Sequence, residues 1–131
     1  MPPTPRRTTI LVVEDDHDLR TLYARALMMA GYTVVAAEDG IDALRRIEDD
    51  RPQGIVLDLG LPRLGGRDVQ QEIAARADTR DIPIVVVTGT DEALNPRDFP
   101  CVLRKPVQPD EVVEAVVKCV PPPPDSFSFF H

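Results

Sequence analysis

What most constrains the fold of this chain is an alternation between two kinds of apolar pattern. Runs rich in β-branched residues recur at "TTILVVE" (8 to 14), "YTVVAA" (32 to 37), "GIVLD" (54 to 58), "IPIVVVT" (82 to 88) and "CVL" (101 to 103). They are nearly continuous rather than alternating, which is the pattern of strands covered on both faces by helices. Between them lie segments with a 3.6-residue period. Leu19, Leu22, Tyr23, Ala26, Leu27 and Ala30 form one stripe, with Gly31 placed for a left-handed cap. Ile41, Leu44 and Ile47 form a second in the segment to about Asp50, and Val69 and Ile73 a third between about Gly66 and Arg76. Val112, Val113, Val116, Val117 and Val120 form the last, with Pro109 suited to a first helical turn.

Strand, helix, strand in this order implies right-handed crossovers and an α/β fold: a doubly wound, five-stranded parallel sheet. One crossover is short. Twelve residues, 89 to 100, separate Thr88 from Cys101, and they include Asn95, Pro96 and Pro100. Proline disfavours helix at the residue before it, so the fourth helix is expected to be shortened to a turn or two near Asp91 to Leu94. In such sheets ligands bind at the carboxyl ends of the strands, beside the switch in strand order.

The 131 residues suit one domain, expected over residues 9 to 120. Tails are expected at 1 to 8 and 121 to 131, which hold seven of the 14 prolines. Phe127, Phe129 and Phe130 in the second tail read as a frayed or back-folded end before a docking motif. With 22 acidic against 15 basic residues, a formal charge of −7 argues against nonspecific nucleic-acid binding through this domain. No apolar run approaches a membrane span and no secretory signal precedes the first strand, so a cytoplasmic protein is expected. Accordingly Cys101 and Cys119 read as packing thiols rather than a disulfide.

The carboxyl ends of four strands carry polar residues. "VVEDD" supplies Glu14, Asp15 and Asp16, "GIVLD" ends in Asp58, Thr88 closes the fourth strand, and Lys105 with Pro106 follows the fifth. Carboxylates converging on one pocket repel unless a cation joins them, and an oxygen-only donor set points to magnesium. A phosphoryl group on Asp58 would offer three oxygens, to be met by the metal, the Thr88 hydroxyl and the Lys105 ammonium.

In "ILVVEDD", "IVLDLGLP" followed by "GG", "IPIVVVTG" and "LRKPV", in this order at strand ends, residues 9 to 120 resemble the receiver domain of two-component response regulators. The resemblance implies a flavodoxin-like sheet of the CheY kind. It implies that Glu14 and Asp15 form an acidic pair, that Asp58 accepts the phosphoryl group, and that Mg2+ is held by Asp15, Asp58 and the Gly60 carbonyl. It further implies that Thr88 and Lys105 contact the phosphoryl oxygens and that the Lys105–Pro106 bond is cis. The donor would be a histidine kinase or a histidine phosphotransfer protein, and a downstream protein would read the result. Catalysis would be limited to the domain's own phosphoryl transfer and dephosphorylation, tuned by the residues at Gly60 and Thr90, so no separate enzyme is expected.

The chain departs from that family at Val102, where receivers usually carry an aromatic ring whose swing accompanies the threonine's movement. Together with the short fourth crossover, this predicts read-out on another surface, near the first helix. A stand-alone receiver is expected; a phosphorelay intermediate, a phosphate sink and a piece of a hybrid kinase are the alternatives within signalling. An aspartate-nucleophile phosphatase would want a second acid where Gly60 stands, and a flavin-binding module would want phosphate-cradling loops where Glu14, Asp15 and Asp16 stand. His17 and His131 are not assigned to the site.

Overall fold

The computed structural model describes residues 7–122. The elements are β1 (Thr9–Val13), α1 (His17–Met29), β2 (Thr33–Ala37), α2 (Gly40–Asp50), β3 (Gly54–Asp58), α3 (Gly66–Ala75), β4 (Ile84–Thr88), β5 (Cys101–Arg104) and α4 (Pro109–Cys119). The five strands form one parallel sheet in the order β2-β1-β3-β4-β5. The order reverses between β1 and β3, which is where the topology opens a crevice at the carboxyl edge. The readings made for Phe127, Phe129, Phe130 and His131, and for the first residues of the chain, fall outside the described residues.

Local chemistry sets the helix ends. Asp16 is extended, and its carboxylate accepts the N–H groups of Asp18 (2.9 Å) and Leu19 (3.1 Å), capping α1. At the other end Gly31 takes φ +103°, while the Tyr32 N–H returns to the Leu27 carbonyl and the Gly31 N–H to that of Met28. That pair of bonds satisfies carbonyls the helix would otherwise leave open, and glycine adopts the left-handed turn at no steric cost. Asp39 caps α2 in the same way as Asp16, through the Asp42 N–H at 2.8 Å.

Alternate strand residues point to opposite faces, and each face has its own core. Ile10, Val12, Val56, Val85 and Val87 pack with Tyr23 and Leu27 of α1 and Val112 and Val116 of α4. Leu11, Val13, Ile55 and Leu57 pack with Ala43 and Ile47 of α2 and Val69 and Ile73 of α3. All five residues of β3 are buried, so Asp58 is carried on the most enclosed strand of the sheet.

Two expectations are corrected. The fourth helix does not form: residues 89 to 100 are irregular apart from a turn at Pro96–Asp98. Side chains compete for the backbone there, Thr90 Oγ1 accepting the Glu92 N–H at 2.8 Å and Asn95 Oδ1 the Arg97 N–H at 3.0 Å. Pro96 also steers Asn95 away from helix. Phe99 turns inward to 8% exposure, its ring 5.8 Å below the guanidinium of Arg67 from α3, and Arg67 also pairs with Glu92 at 2.7 Å. Secondly, Cys101 and Cys119 are joined as a disulfide rather than standing as free packing thiols. The reason is topological: α4 runs back against the strand direction, so its last residue returns to the first residue of β5, with the Cα atoms 6.8 Å apart.

Leu27 is fully buried between α1 and the sheet. Leu27→Ala is expected to lower unfolding free energy by about 2–5 kcal/mol in urea titration with the m-value unchanged; a loss below ~1 kcal/mol would show that this helix face is not part of the core.

Candidate functional site

The switch in strand order places the ends of β1 and β3 side by side, with Val13 opposite Leu57. Residues just beyond these partners therefore meet: Glu14 and Asp15 after β1, and Asp58 as the last residue of β3. Oxygens of Glu14, Asp15 and Asp58 lie within 4.8 Å of one another. Glu14 and Asp58 are buried and Asp15 is exposed, so the cluster has a closed floor and an open mouth.

Lys105 enters this cluster from the turn after β5. Its backbone N–H donates to the Thr88 carbonyl at 2.7 Å, extending the β4–β5 ladder by one bond past Arg104. The ammonium donates to Glu14 Oε1 at 2.9 Å and lies 3.5 Å from Asp58 Oδ2. The Lys105–Pro106 peptide is cis, as the resemblance implied. Asp58 Oδ1 accepts the Gly60 N–H at 2.9 Å, and Glu14 Oε2 accepts the Asp16 N–H at 3.2 Å. Thr88 is buried at the end of β4, its Oγ1 accepting the Thr90 N–H at 3.2 Å. The structure thus brings Glu14, Asp15, Asp58, Gly60 and Lys105 together, with Thr88 on the adjacent strand end.

Arg20 was missed by sequence reasoning. Its guanidinium donates to the carbonyls of Glu14 (2.9 Å) and Asp15 (3.3 Å), holding the acidic turn against α1, and also meets His17 Nδ1 at 3.2 Å. No spacing rule signals it, because it acts on backbone carbonyls five and six residues back. His17 therefore has a partner on its own helix and stands outside the carboxylate cluster.

The electrostatics follow from burial. Burial pushes the Glu14 carboxyl up from 4.5 to about 7; the Lys105 hydrogen bond opposes the rise and the Asp58 carboxylate reinforces it. Burial by itself would lower the Lys105 ammonium, but the hydrogen bond to Glu14 and the charge of Asp58 outweigh it, and the net shift is upward. With three carboxylates ionised against one ammonium, the cluster has a formal charge of −2. A single divalent cation balances it, and the all-oxygen donors suit a hard ion such as Mg2+ better than zinc or copper. Asp15 at the open mouth and Asp58 on the floor are the carboxylates that could hold it, with the Gly60 carbonyl the further group that the resemblance implies.

Comparison with known proteins gives a consistent picture. A profile of the response regulator receiver domain matches residues 10–117. The protein named Response regulator MprA of Mycobacterium ulcerans (strain Agy99) is 45% identical over 82 residues, covering 63% of this chain and 34% of that protein. MprA of Mycobacterium tuberculosis is 44% identical over 82 residues, covering 63% and 35%. The chain spans about a third of the length of the curated relatives it matches. Among solved structures, the receiver domain of a sensor histidine kinase from Pseudomonas aeruginosa PAO1, with magnesium coordinated in its active site cleft, is 29% identical. It superposes with a TM-score of 0.75 over 86% of this chain and 97% of that one. Chemotaxis protein CheY4 of Vibrio cholerae superposes with a TM-score of 0.80 over 88% and 100%, at 22% identity, a likeness of fold alone.

Because the Glu14 pKa is higher in the folded chain, its proton is held more tightly there than in the unfolded chain. The stability this contributes is complete below pH 4.5 and is lost as pH rises to about 7. In EDTA, Glu14→Gln is therefore expected to raise stability on the order of 1 kcal/mol at pH 8 and to leave it nearly unchanged at pH 5. Thermal unfolding across that pH range checks it; a gain independent of pH would mean that ionised Glu14 is not the source.

Proposed function

The chain belongs to the response regulator receiver domain family, and on that premise we propose that it is a phosphoryl-accepting signalling module whose acceptor is Asp58. The observation that carries this reading is the cluster at the switch point: three carboxylates within 4.8 Å and one lysine within 2.9 and 3.5 Å of two of them. The phosphodonor would be a phosphohistidine on a histidine kinase or a histidine phosphotransfer protein. An Asp58 oxygen attacks phosphorus, the phosphorus–nitrogen bond breaks, and the imidazole nitrogen leaves with the electron pair. Mg2+, held by Asp15, Asp58 and the Gly60 carbonyl, would supply charge neutralisation for the phosphoryl oxygens.

The remaining work belongs to the chain's own groups. The Gly60 N–H orients the Asp58 carboxylate through Oδ1, leaving its other oxygen facing Lys105. Lys105, already bridging Glu14 and Asp58, would pair with a phosphoryl oxygen, and the Thr88 hydroxyl, whose oxygen accepts the Thr90 N–H, would donate its own proton to a second. Hydrolysis of the acyl phosphate returns Asp58 as a carboxylate, so the module acts on its own side chain and turns over no separate substrate.

A second reading, a phosphorelay intermediate or phosphate sink, is favoured by two features. Val102 has no ring to move, and the connection after Thr88 is an irregular strap pinned by Arg67 rather than a helix. A sink needs no conformational output.

Incubation with acetyl phosphate and Mg2+ followed by intact mass is expected to add one phosphoryl group to the natural protein and none to Asp58→Ala or to an EDTA control. Lys105→Ala is expected to slow labelling by roughly 10²-fold with Mg2+ still bound. Labelling of Asp58→Ala, or a flat response to Mg2+, would overturn the acceptor chemistry. A long-lived phosphoryl group that creates binding to a partner would favour the switch over the sink.

A further inference from the structure

The segment 59–65 joins β3 to α3 and carries Gly60, whose N–H is on Asp58. It is closed at its base by the Gly66 N–H donating to the Leu59 carbonyl at 3.3 Å. Gly66 packs so tightly that a Cβ there would sit 2.5 Å from the Asp58 carbonyl oxygen. Leu61 is buried in the α2–α3 core. The tip, Pro62 and Arg63, is exposed, and Arg63 adopts φ +62°, a left-handed conformation disfavoured for any residue with a Cβ.

Arg63 is held in that conformation by a long-range ion pair. Its guanidinium pairs with Asp39 Oδ2, while Asp39 Oδ1 caps α2 through the Asp42 N–H. The Asp39 side chain is 3% exposed and that of Arg63 62% exposed. A buried carboxylate needs a partner, so the pair is not an optional surface contact. Next to it, Leu64 abuts Gly40 so closely that a Cβ on Gly40 would overlap the Leu64 carbonyl. The loop is therefore fastened to the start of α2 at two adjacent residues.

We propose that Arg63 is a positioning residue for the cation and phosphoryl site: its pair with Asp39 sets the loop so that Gly60 presents its N–H to Asp58 and its carbonyl to the divalent ion. This rests on the reading of Asp58 as a Mg2+-assisted acceptor. Charge and position predict opposite signs here. Removing a cation near an acidic cluster strengthens divalent binding if only electrostatics matter, whereas releasing the loop weakens it.

Arg63→Gly removes the ion pair and suits the positive φ, and Arg63→Lys keeps the charge. Mg2+ affinity by calorimetry, without phosphodonor, is expected to fall roughly tenfold in Arg63→Gly and to recover largely in Arg63→Lys. Acetyl phosphate labelling in Arg63→Gly should need more Mg2+ but approach the natural rate at saturation, a split that general destabilisation would not produce. Asp39→Asn, which keeps an oxygen for the Asp42 N–H, repeats the test from the other side and stands in if Arg63→Gly does not fold. Unchanged or tighter Mg2+ binding in these variants, with binding intact in the natural protein, overturns the inference alone. A natural protein that binds no Mg2+ overturns the reading of the site and the inference with it.

Discussion

Three carboxylates held within 4.8 Å of one another repel, and the strand ends that carry them pack together here because Lys105 reaches between two of them. The compensation is partial, since one ammonium faces three carboxyl groups, and burial, reinforced by the Asp58 carboxylate, raises Glu14 to about 7. A site left in this condition is poised for further positive charge. Such a cluster suits a hard divalent ion for the same reason that it costs stability without one.

The architecture around that cluster is arranged to hold it. The parallel sheet puts β1 and β3 adjacent at the switch point, while the cores on either face lock the strands that bear Glu14 and Asp58. Arg20 ties the acidic turn to α1, Asp39 and Arg63 tie the loop after β3 to α2, and the Lys105 N–H continues the ladder to β4. Each tether comes from a different element, so the site is supported on all sides by rigid structure rather than by its own loops.

The β5 edge is built differently. Where an α/β repeat would place a helix, the chain covers the sheet with a strap, one inward aromatic ring and an arginine that pairs with both Glu92 and Phe99. β5 is bonded to β4 along one edge and joined to α4 through the Cys101–Cys119 disulfide. Conformational read-out through a swinging ring at position 102 is not available to such an edge, because Val102 has no ring.

Read from the chain alone, the strands, the four helices that form and the chemistry of local order are legible. Apolar period distinguished strands from helices because burial on two faces and burial on one stripe leave different patterns, and the caps at Asp16 and Gly31 are written in residues that act on their immediate neighbours. The acidic turn, Asp58, Thr88 and Lys105 were legible because a parallel sheet sends every strand end to the same edge. Tertiary structure alone decided what depends on where chain segments lie in space. The Arg63–Asp39 pair joins residues 24 apart, and the Cys101–Cys119 bridge follows from α4 returning to the foot of β5. The missing fourth helix was a contest between weak helical preference and Thr90, Asn95 and Pro96 bonding or blocking the backbone. Period and spacing report what one element buries, whereas a partner brought in from elsewhere leaves no trace in either.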